Sequence, residues 1–500
     1  MMGTSSEGLR ATPGRRVLFL DLAAVDERQN VVHRVMEATK HPSNPVLPLG
    51  DVHEWDAMQA RPWEARTVLH DDEEGLFKCW YAGTDLSTDR WWAVGYATSE
   101  DGVHWEKPRL GLYEYNGNRD NNICLQPGGS LSSVVIKDRD ETDSAKRYKM
   151  IIKGPAGGQA RAIRVGYSPD GIHWQEGAQL DIPEWNGGAP DIVVLLRDEQ
   201  DPDPRRRYKI VWQTSHPANK PGPEMVRTKC LGSGPDVEHF TSSPANPLLH
   251  PNDGLEQENH FLMLAPYGGF YVMLYEYGWY MPNETGNFGS YCADIRLAVS
   301  SDGERYERIQ SHQPVIARGP RGAWDDGFLV IADKPVIKDD TIYLYYAGQG
   351  EDWTGWPGGN TPADYRFAST GCVRLSRMGL ATLTRDRFTA LETTDRETPG
   401  FATTSPITVG EQEVQLAANV SEVQPRRSWI AVEVLDAASG EPLPGFGREA
   451  CSPLDQEGLA RTVRWQDQGF AAVGTSPVKL RCWFYGAARL HALAFEPATG

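Results

Sequence analysis

Three acidic positions far apart in the chain, Glu64, Asp191 and Glu258, are the strongest candidates for chemistry. Each stands at or near the start of a run that reads as a β-strand: Glu64-Ala-Arg-Thr-Val-Leu-His70, Asp191 to Leu196, and Glu256 to Leu264. Carboxyl groups brought to one point from separate strands are what cleavage of a glycosidic bond requires. One carboxylic acid protonates the leaving oxygen, and one carboxylate activates water or attacks the sugar. Arg66, Glu256, His260, Asp326, Asp333 and Lys334 occupy similar strand-start positions and are the expected substrate-binding groups. Trp279 and Trp353, with Tyr280 and Trp356, fall in long loops, where an indole can stack on the apolar face of a sugar ring. Any one of these carboxylates, taken alone, is more simply a turn cap or an arginine's partner; their recurrence at equivalent places favours a site.

Other chemistries find no foothold. The 12 histidines show no H-E-x-x-H or H-x-H spacing, so no metal site is expected. No Walker loop, G-x-G-x-x-G or G-x-S-x-G elbow occurs, and no cofactor is expected. An axial calcium ion beside His260 is the one exception that the acidic cluster leaves open. A formal net charge of −18 argues against a nucleic-acid partner and suits a neutral or weakly charged substrate. The seven cysteines are scattered without a C-x-x-C pair, as buried thiols would be.

A repeat sets where these residues would stand. Aromatic-headed strands begin at Phe77 (FKCWYAG), Tyr148 (YKMIIKG), Tyr208 (YKIVWQT), Tyr271 (YVMLYEYG) and Tyr343 (YLYYAGQ). The interval of about 60 to 70 residues suits one four-stranded blade with its loops. A second marker keeps step with them: Ser99-Glu-Asp-Gly-Val-His-Trp105, Ser168-Pro-Asp-Gly-Ile-His-Trp174 and Ser301-Asp-Gly-Glu-Arg-Tyr306, with a worn form at Pro235-Asp-Val-Glu-His-Phe240 and Ser376-Arg-Met-Gly379 in its place in the fifth copy. Asp-Gly supplies the positive-φ position of a tight turn, and the aromatic caps the apolar layer. Fifty Gly, 35 Pro and 16 Trp fit an all-β chain rich in turns.

The expected fold is therefore a five-bladed β-propeller followed by a C-terminal β-sandwich. Residues 1–40 read as an N-terminal arm, 41–395 as the propeller, and 400–500 as the sandwich, with alternating strands at Val414 to Val420, Trp429 to Leu435, Arg461 to Trp465 and Val478 to Phe484. In a propeller, loops at one end of the inner strands form a funnel on the axis. No run has the length of a membrane helix, and Val17-Leu-Phe-Leu-Asp21 is too short for a signal-peptide core, so a cytoplasmic protein is expected. The sequence carries no sign of its oligomeric state.

The chain resembles the five-bladed β-propeller glycoside hydrolases, families 32 and 43 among them. The residues that carry the resemblance are Leu18-Phe-Leu-Asp21, His41-Pro-Ser-Asn-Pro45, the Asp-Gly-x-His-Trp boxes and Trp324-Asp-Asp-Gly327. It spans roughly residues 40 to 390, and a sandwich after the propeller is similar to the family 32 layout. The Asn-Asp-Pro-Asn-Gly, Arg-Asp-Pro and Glu-Cys motifs of family 32 are absent, which marks a divergent member. The resemblance implies a base or nucleophile at Glu64, a tuning carboxylate at Asp191 and a general acid at Glu258 or Glu256. Two alternatives stand beside a glycosidase: a carbohydrate-binding propeller without catalysis, and a sialidase-like enzyme, whose similar boxes belong to six-bladed folds.

Overall fold

The computed structural model describes residues 8–85, 92–126, 132–156, 159–180, 182, 190–218, 224–251, 253–282, 288–350, 375–466 and 468–498. Within them the chain is an all-β propeller with a second β unit, its other regular elements being short 3-10 turns. The two units are Glu37–Leu383, and Met1–Met36 together with Thr384–Gly500.

In the first unit the described strands pair as five successive antiparallel meanders. Blade 1 runs through Gln59–Asp71, Leu76–Thr84, Trp92–Ser99 and Ile123–Leu125. Blade 2 has Ser132–Lys137, Tyr148–Ala156, Gln159–Ser168 and Gln175–Gln179. Blade 3 has Ile192–Arg197, Tyr208–Pro217, Met225–Gly234 and Thr241–Ser242. Blade 4 has Leu262–Tyr267, Phe270–Pro282, Phe288–Ser300 and Glu307–Arg308. Blade 5 starts on Phe328–Ile331 and Val336–Lys338, then runs through Thr341–Gln349 and Ser376–Thr384. Its outer edge is closed by Thr39–Lys40, a strand from the beginning of the unit. Blades 4 and 5 begin their inner strands later than the sequence suggests, which leaves Glu256, Glu258, Asp325 and Asp326 in the preceding loops.

Each aromatic-headed run is the second strand of its blade, and the leading Tyr-Lys has a packing reason. Tyr148 donates to Asp71 Oδ2 at 2.7 Å, Tyr208 to Asp138, and Tyr271 to Asp198 Oδ2 at 2.7 Å, so each hydroxyl reaches the Asp that ends or follows the inner strand of the preceding blade. The next residue pairs within its own blade: Lys149 with Asp138 at 2.8 Å and Lys209 with Asp198 at 3.0 Å. Lys78 does the same with Asp71 at 2.9 Å, although Phe77 precedes it. Buried carboxylates are tolerable only with such partners.

The Ser-x-Asp-Gly boxes are turns between third and fourth strands. Ser99 Oγ accepts from Gly102 N at 2.9 Å, and Asp101 Oδ1 accepts from the amides of Val103 and His104 at 2.8 Å. Ser168 with Asp170, and Ser300 with Asp302, repeat the geometry. Gly102 takes φ 77°, and a Cβ there would lie 2.6 Å from the Tyr345 hydroxyl, so glycine is required twice over. Asp236 caps the blade 3 turn in the same way, toward Glu238 and His239. Ser376 to Gly379, which stands in place of the box in the fifth copy, lies within a strand; Gly379 is small there because the Tyr346 ring would be 2.4 Å from its Cβ.

The second unit holds two six-stranded sheets. One contains Leu9–Ala11, Val25–Gln29, Gly400–Thr404, Ile407–Val409, Trp429–Asp436 and Val478–Tyr485. The other contains Arg15–Leu18, Val31–Val35, Thr389–Thr393, Val414–Ser421, Gly458–Thr462 and Arg489–Pro497. Side chains of both sheets meet in one apolar core that includes Val17, Phe19, Leu416, Trp465, Leu480, Phe484 and Phe495. The first residues, expected as an arm, are thus integral strands: Val31–Val35 pairs with Thr389–Thr393, and Arg15–Leu18 with the last strand. Their alternation of buried and half-buried side chains carries the physical reason, since an arm would have no use for a buried Val31 and Val35.

Candidate active site

Glu64 owes its position to a break in the first inner strand. Pairing with the second strand runs to Arg61 opposite Ala82 and resumes at Arg66 opposite Tyr81, so residues 62–65 bulge out of the ladder. Pro62 cannot donate to the ladder, and a bulge re-aims the side chains it contains. Glu64 stays 18% exposed, with Oε1 at 3.4 Å from Arg61 and a buried Oε2 that no described residue bonds. Burial pushes its carboxyl above the ordinary glutamate range, and the charge of Asp191 adds to this; Arg61, its own amide and Lys153 pull the other way without prevailing. Arg61 is itself held by Ser376 Oγ at 2.9 Å and by the Trp63 ring, 3.7 Å from its guanidinium carbon.

Asp191 immediately precedes the third inner strand, where Ser132 locks the neighbouring blade by accepting from Ile192 N and donating to Ile192 O. It is ion-paired with Lys153 and accepts from Gln213 Nε2 at 3.3 Å. Gln213 Oε1 in turn accepts from Lys229 at 3.2 Å. Lys229 is fully buried and also donates to the Asn259 carbonyl. Burial brings its pKa down to about 7, against the opposing pull of Glu276, Glu258 and Asp191.

From blade 4, Glu258 reaches Arg227 at 2.8 Å, its backbone pinned by a two-way bridge to Gly278. Arg227 also donates to His260 Nε2 at 3.1 Å, while His260 Nδ1 lies 3.0 Å from Glu276 Oε1. Glu276 is fully enclosed; burial pushes it up, yet His260, Tyr291 and Lys229 together hold it below the ordinary range. Glu64, Asp191, Glu258 and Glu276 thus stand among Arg61, Lys153, Arg227 and Lys229, within reach of the Arg66 charge.

The remaining sequence candidates are held by other partners, although Arg66 feels the charges of Asp333, Glu276, Glu64 and Asp191. Arg66 is fully buried, bonded to the carbonyls of Leu262 at 2.8 Å and Ile331 at 3.1 Å, and so ties blade 1 to blades 4 and 5 across the axis. Asp333 is completely enclosed beside it and is pushed upward by burial. Lys334 donates to the Val135 carbonyl at 2.6 Å and lines a cavity of about 340 Å³ with Leu69, Ile136, Arg197 and Leu264, at the opposite ends of the inner strands from Glu64. Glu256 is turned away, its carboxylate bonded to Arg308 of the outermost blade 4 strand at 2.8 Å. Asp326 caps a turn by accepting from Gly322 N at 2.6 Å. Trp279 follows Gly278, the bridge partner of Glu258, and the Arg318 guanidinium lies 5.0 Å from its ring centre. Trp353 and Trp356 lie outside the described residues. Among the described residues no group of three or more His, Cys, Asp or Glu is placed to hold a metal ion.

No protein-family model and no curated protein matches the chain. Solved structures do. A glycosyl hydrolase from Bacteroides ovatus is similar over 71% of this chain and 95% of its own, at 14% identity and a TM-score of 0.43. The β-1,2-mannobiose phosphorylase of Listeria innocua is similar over 71% and 98%, at 12% identity and 0.42. A fructofuranosidase from Schwanniomyces occidentalis is similar over 89% and 99%, at 10% identity and 0.37. The likeness is one of fold alone.

Sequence reasoning missed Arg61, Lys153, Gln213, Arg227, Lys229 and Glu276. A signal for three of them was present. Lys153, Gln213 and Glu276 each stand five places after the leading tyrosine of their aromatic run, where blades 1 and 5 have Ala82 and Gly348. A polar residue at one fixed place in an apolar strand, in three copies out of five, marks a position that faces something polar.

Proposed function

We propose that this protein is a glycoside hydrolase whose acid and base are Glu64 and Asp191. The observation that carries the reading is the setting of Glu64, a partly exposed carboxyl on a bulge of the first inner strand, which burial and the neighbouring Asp191 push above the ordinary glutamate range. Such a group is a proton donor to a glycosidic oxygen. Asp191, held by Lys153 and Gln213, acts from the other side, on water or on the sugar carbon. The family resemblance puts the acid on Glu258, but its ion pair with Arg227 fits better with holding sugar hydroxyls, together with His260. Lys229 and Glu276 lie behind these groups and keep them in place.

A panel of 4-nitrophenyl glycosides and neutral oligosaccharides tests the proposal. The wild-type protein should release sugar from at least one. Glu64→Gln keeps the size and removes the transferable proton, so turnover on the natural linkage should fall about 100-fold or more. A nitrophenolate leaves without much protonation and should suffer less. Activity of the wild type should decline as pH rises through the raised Glu64 pKa, and that alkaline limb should vanish in Glu64→Gln. Unchanged turnover in the variant, or binding of sugars without any hydrolysis by the wild type, would leave a binding propeller instead.

A further inference from the structure

The outer face of one sheet of the second unit is unusually aromatic. Inward positions of the strand Val478–Tyr485 (Val478, Leu480, Cys482, Phe484) fill the core, so Lys479, Arg481, Trp483 and Tyr485 face the other way. Trp483 is directly opposite Phe401 on one neighbouring strand, and Tyr485 is opposite Trp429 on the other. All four rings are partly exposed. They touch in pairs: Phe401 and Trp483 have ring centres 5.0 Å apart, and Trp429 stacks on Tyr485 at 5.8 Å with a 22° interplanar angle. An outward sheet face in water is ordinarily polar, and a continuous strip of four aromatics across three strands departs from that.

Fork-like polar groups border the strip. The Arg448 guanidinium carbon is 4.6 Å from the Trp483 ring centre and 5.3 Å from that of Trp429. Glu433 Oε2 accepts from Trp483 Nε1 at 3.0 Å, and Arg481 lies 4.8 Å from Phe401. The remaining charges cancel locally: Lys479 pairs with Asp26 at 2.8 Å and Arg481 with Glu27 at 3.3 Å. We infer that this strip is a second binding site, a platform for a neutral polysaccharide chain. Apolar sugar faces stack on the exposed parts of the rings, and vicinal hydroxyls meet the half-buried guanidinium of Arg448, while buried Glu433 holds Trp483 and the Arg448 amide in place. Adjacent strands are about 4.8 Å apart, close to the length of one pyranose in an extended chain, so rings on neighbouring strands match successive sugars. The cancelled charge selects a neutral chain over an anionic one.

The choice of carbohydrate as occupant rests on the glycosidase reading of the propeller, but the two are tested by different measurements. Affinity gels cast with xylan, mannan, barley β-glucan or inulin report on the platform, and aryl glycoside hydrolysis reports on the axial site. At least one polysaccharide should retard the full-length wild type. Trp483→Ala and Trp429→Ala should each raise the polysaccharide concentration needed for half retardation by about tenfold, the scale of an aromatic anchor. Aryl glycoside turnover should stay as in the wild type. Tyr485→Ala and Arg448→Ala, milder changes on the same face, should weaken retardation in the same direction if a tryptophan variant fails to fold. A wild type that none of the four retards overturns the platform, whatever its hydrolytic activity. So does retardation that survives all of these changes, since that places the binding away from the aromatic strip.

Discussion

Lys229 is the residue whose setting most exceeds what its type suggests. A buried ammonium bonded to a carbonyl and an amide, with its pKa down to about 7, costs stability whenever it is charged. The sign follows from the two states. In the unfolded chain the amine titrates near 10.5, so between about 7 and 10.5 the unfolded state holds a proton that the folded state lacks. Stability therefore rises with pH across that window, and below about 7 the burial cost is felt in full. Lys229→Met should flatten this dependence. Urea midpoints measured from pH 6 to pH 10 should show wild type and variant converging or crossing as pH rises; parallel lines would mean that Lys229 is charged throughout. Burial acts on Glu64 in the opposite direction, raising its pKa for the same reason, loss of water around a charged form.

At the scale of elements, the Tyr-Asp-Lys clasps between blades give a quantitative expectation. Tyr148→Phe removes one hydrogen bond from Asp71, which keeps Lys78 and Lys137, and should cost about 1 kcal/mol. Asp138→Ala takes one of two carboxylate partners from buried Lys149, which keeps Glu141, and removes the acceptor of the Tyr208 hydroxyl, and should cost more, about 3 kcal/mol. Denaturant midpoints distinguish them, and equal losses would mean that the ion pair carries no more than the hydroxyl. The aromatic strands and Ser-x-Asp-Gly turns were legible in the sequence because each is local: a run of bulky side chains, or a turn whose side chains bond amides two and three places on. Glu64, Asp191 and Glu258 were legible as acids near strand starts. What they touch was not, since Lys153, Gln213 and Lys229 come from second and third strands, and which of their faces points inward depends on register. Glu256 illustrates the limit. Two places from Glu258, it turns instead to Arg308, a partner 52 residues away.

At the scale of the whole molecule, both units draw strands from distant parts of the sequence. The core of the second unit needs Val17, Phe19 and Val31, each contributing about 1.5–3 kcal/mol on burial. Deleting residues 8–36 should therefore expose residues 384–498 to protease, while strands within 59–349 remain protected; limited proteolysis with mass mapping checks this. Continued protection of 384–498 would show that those strands suffice alone. The composition break near 393–400 misplaces the boundary because it lies between two strands of one unit, Thr389–Thr393 and Gly400–Thr404. Such construction also sets a timetable for synthesis. Thr39–Lys40 emerges from the ribosome long before Ser376–Thr384, its partner, and Arg15–Leu18 must wait for Arg489–Pro497. The first unit cannot close until Ser376–Thr384 has been made and the second until Arg489–Pro497 has, so these early strands spend much of translation with unpaired edges, and a factor that shields them should raise the yield of folded protein.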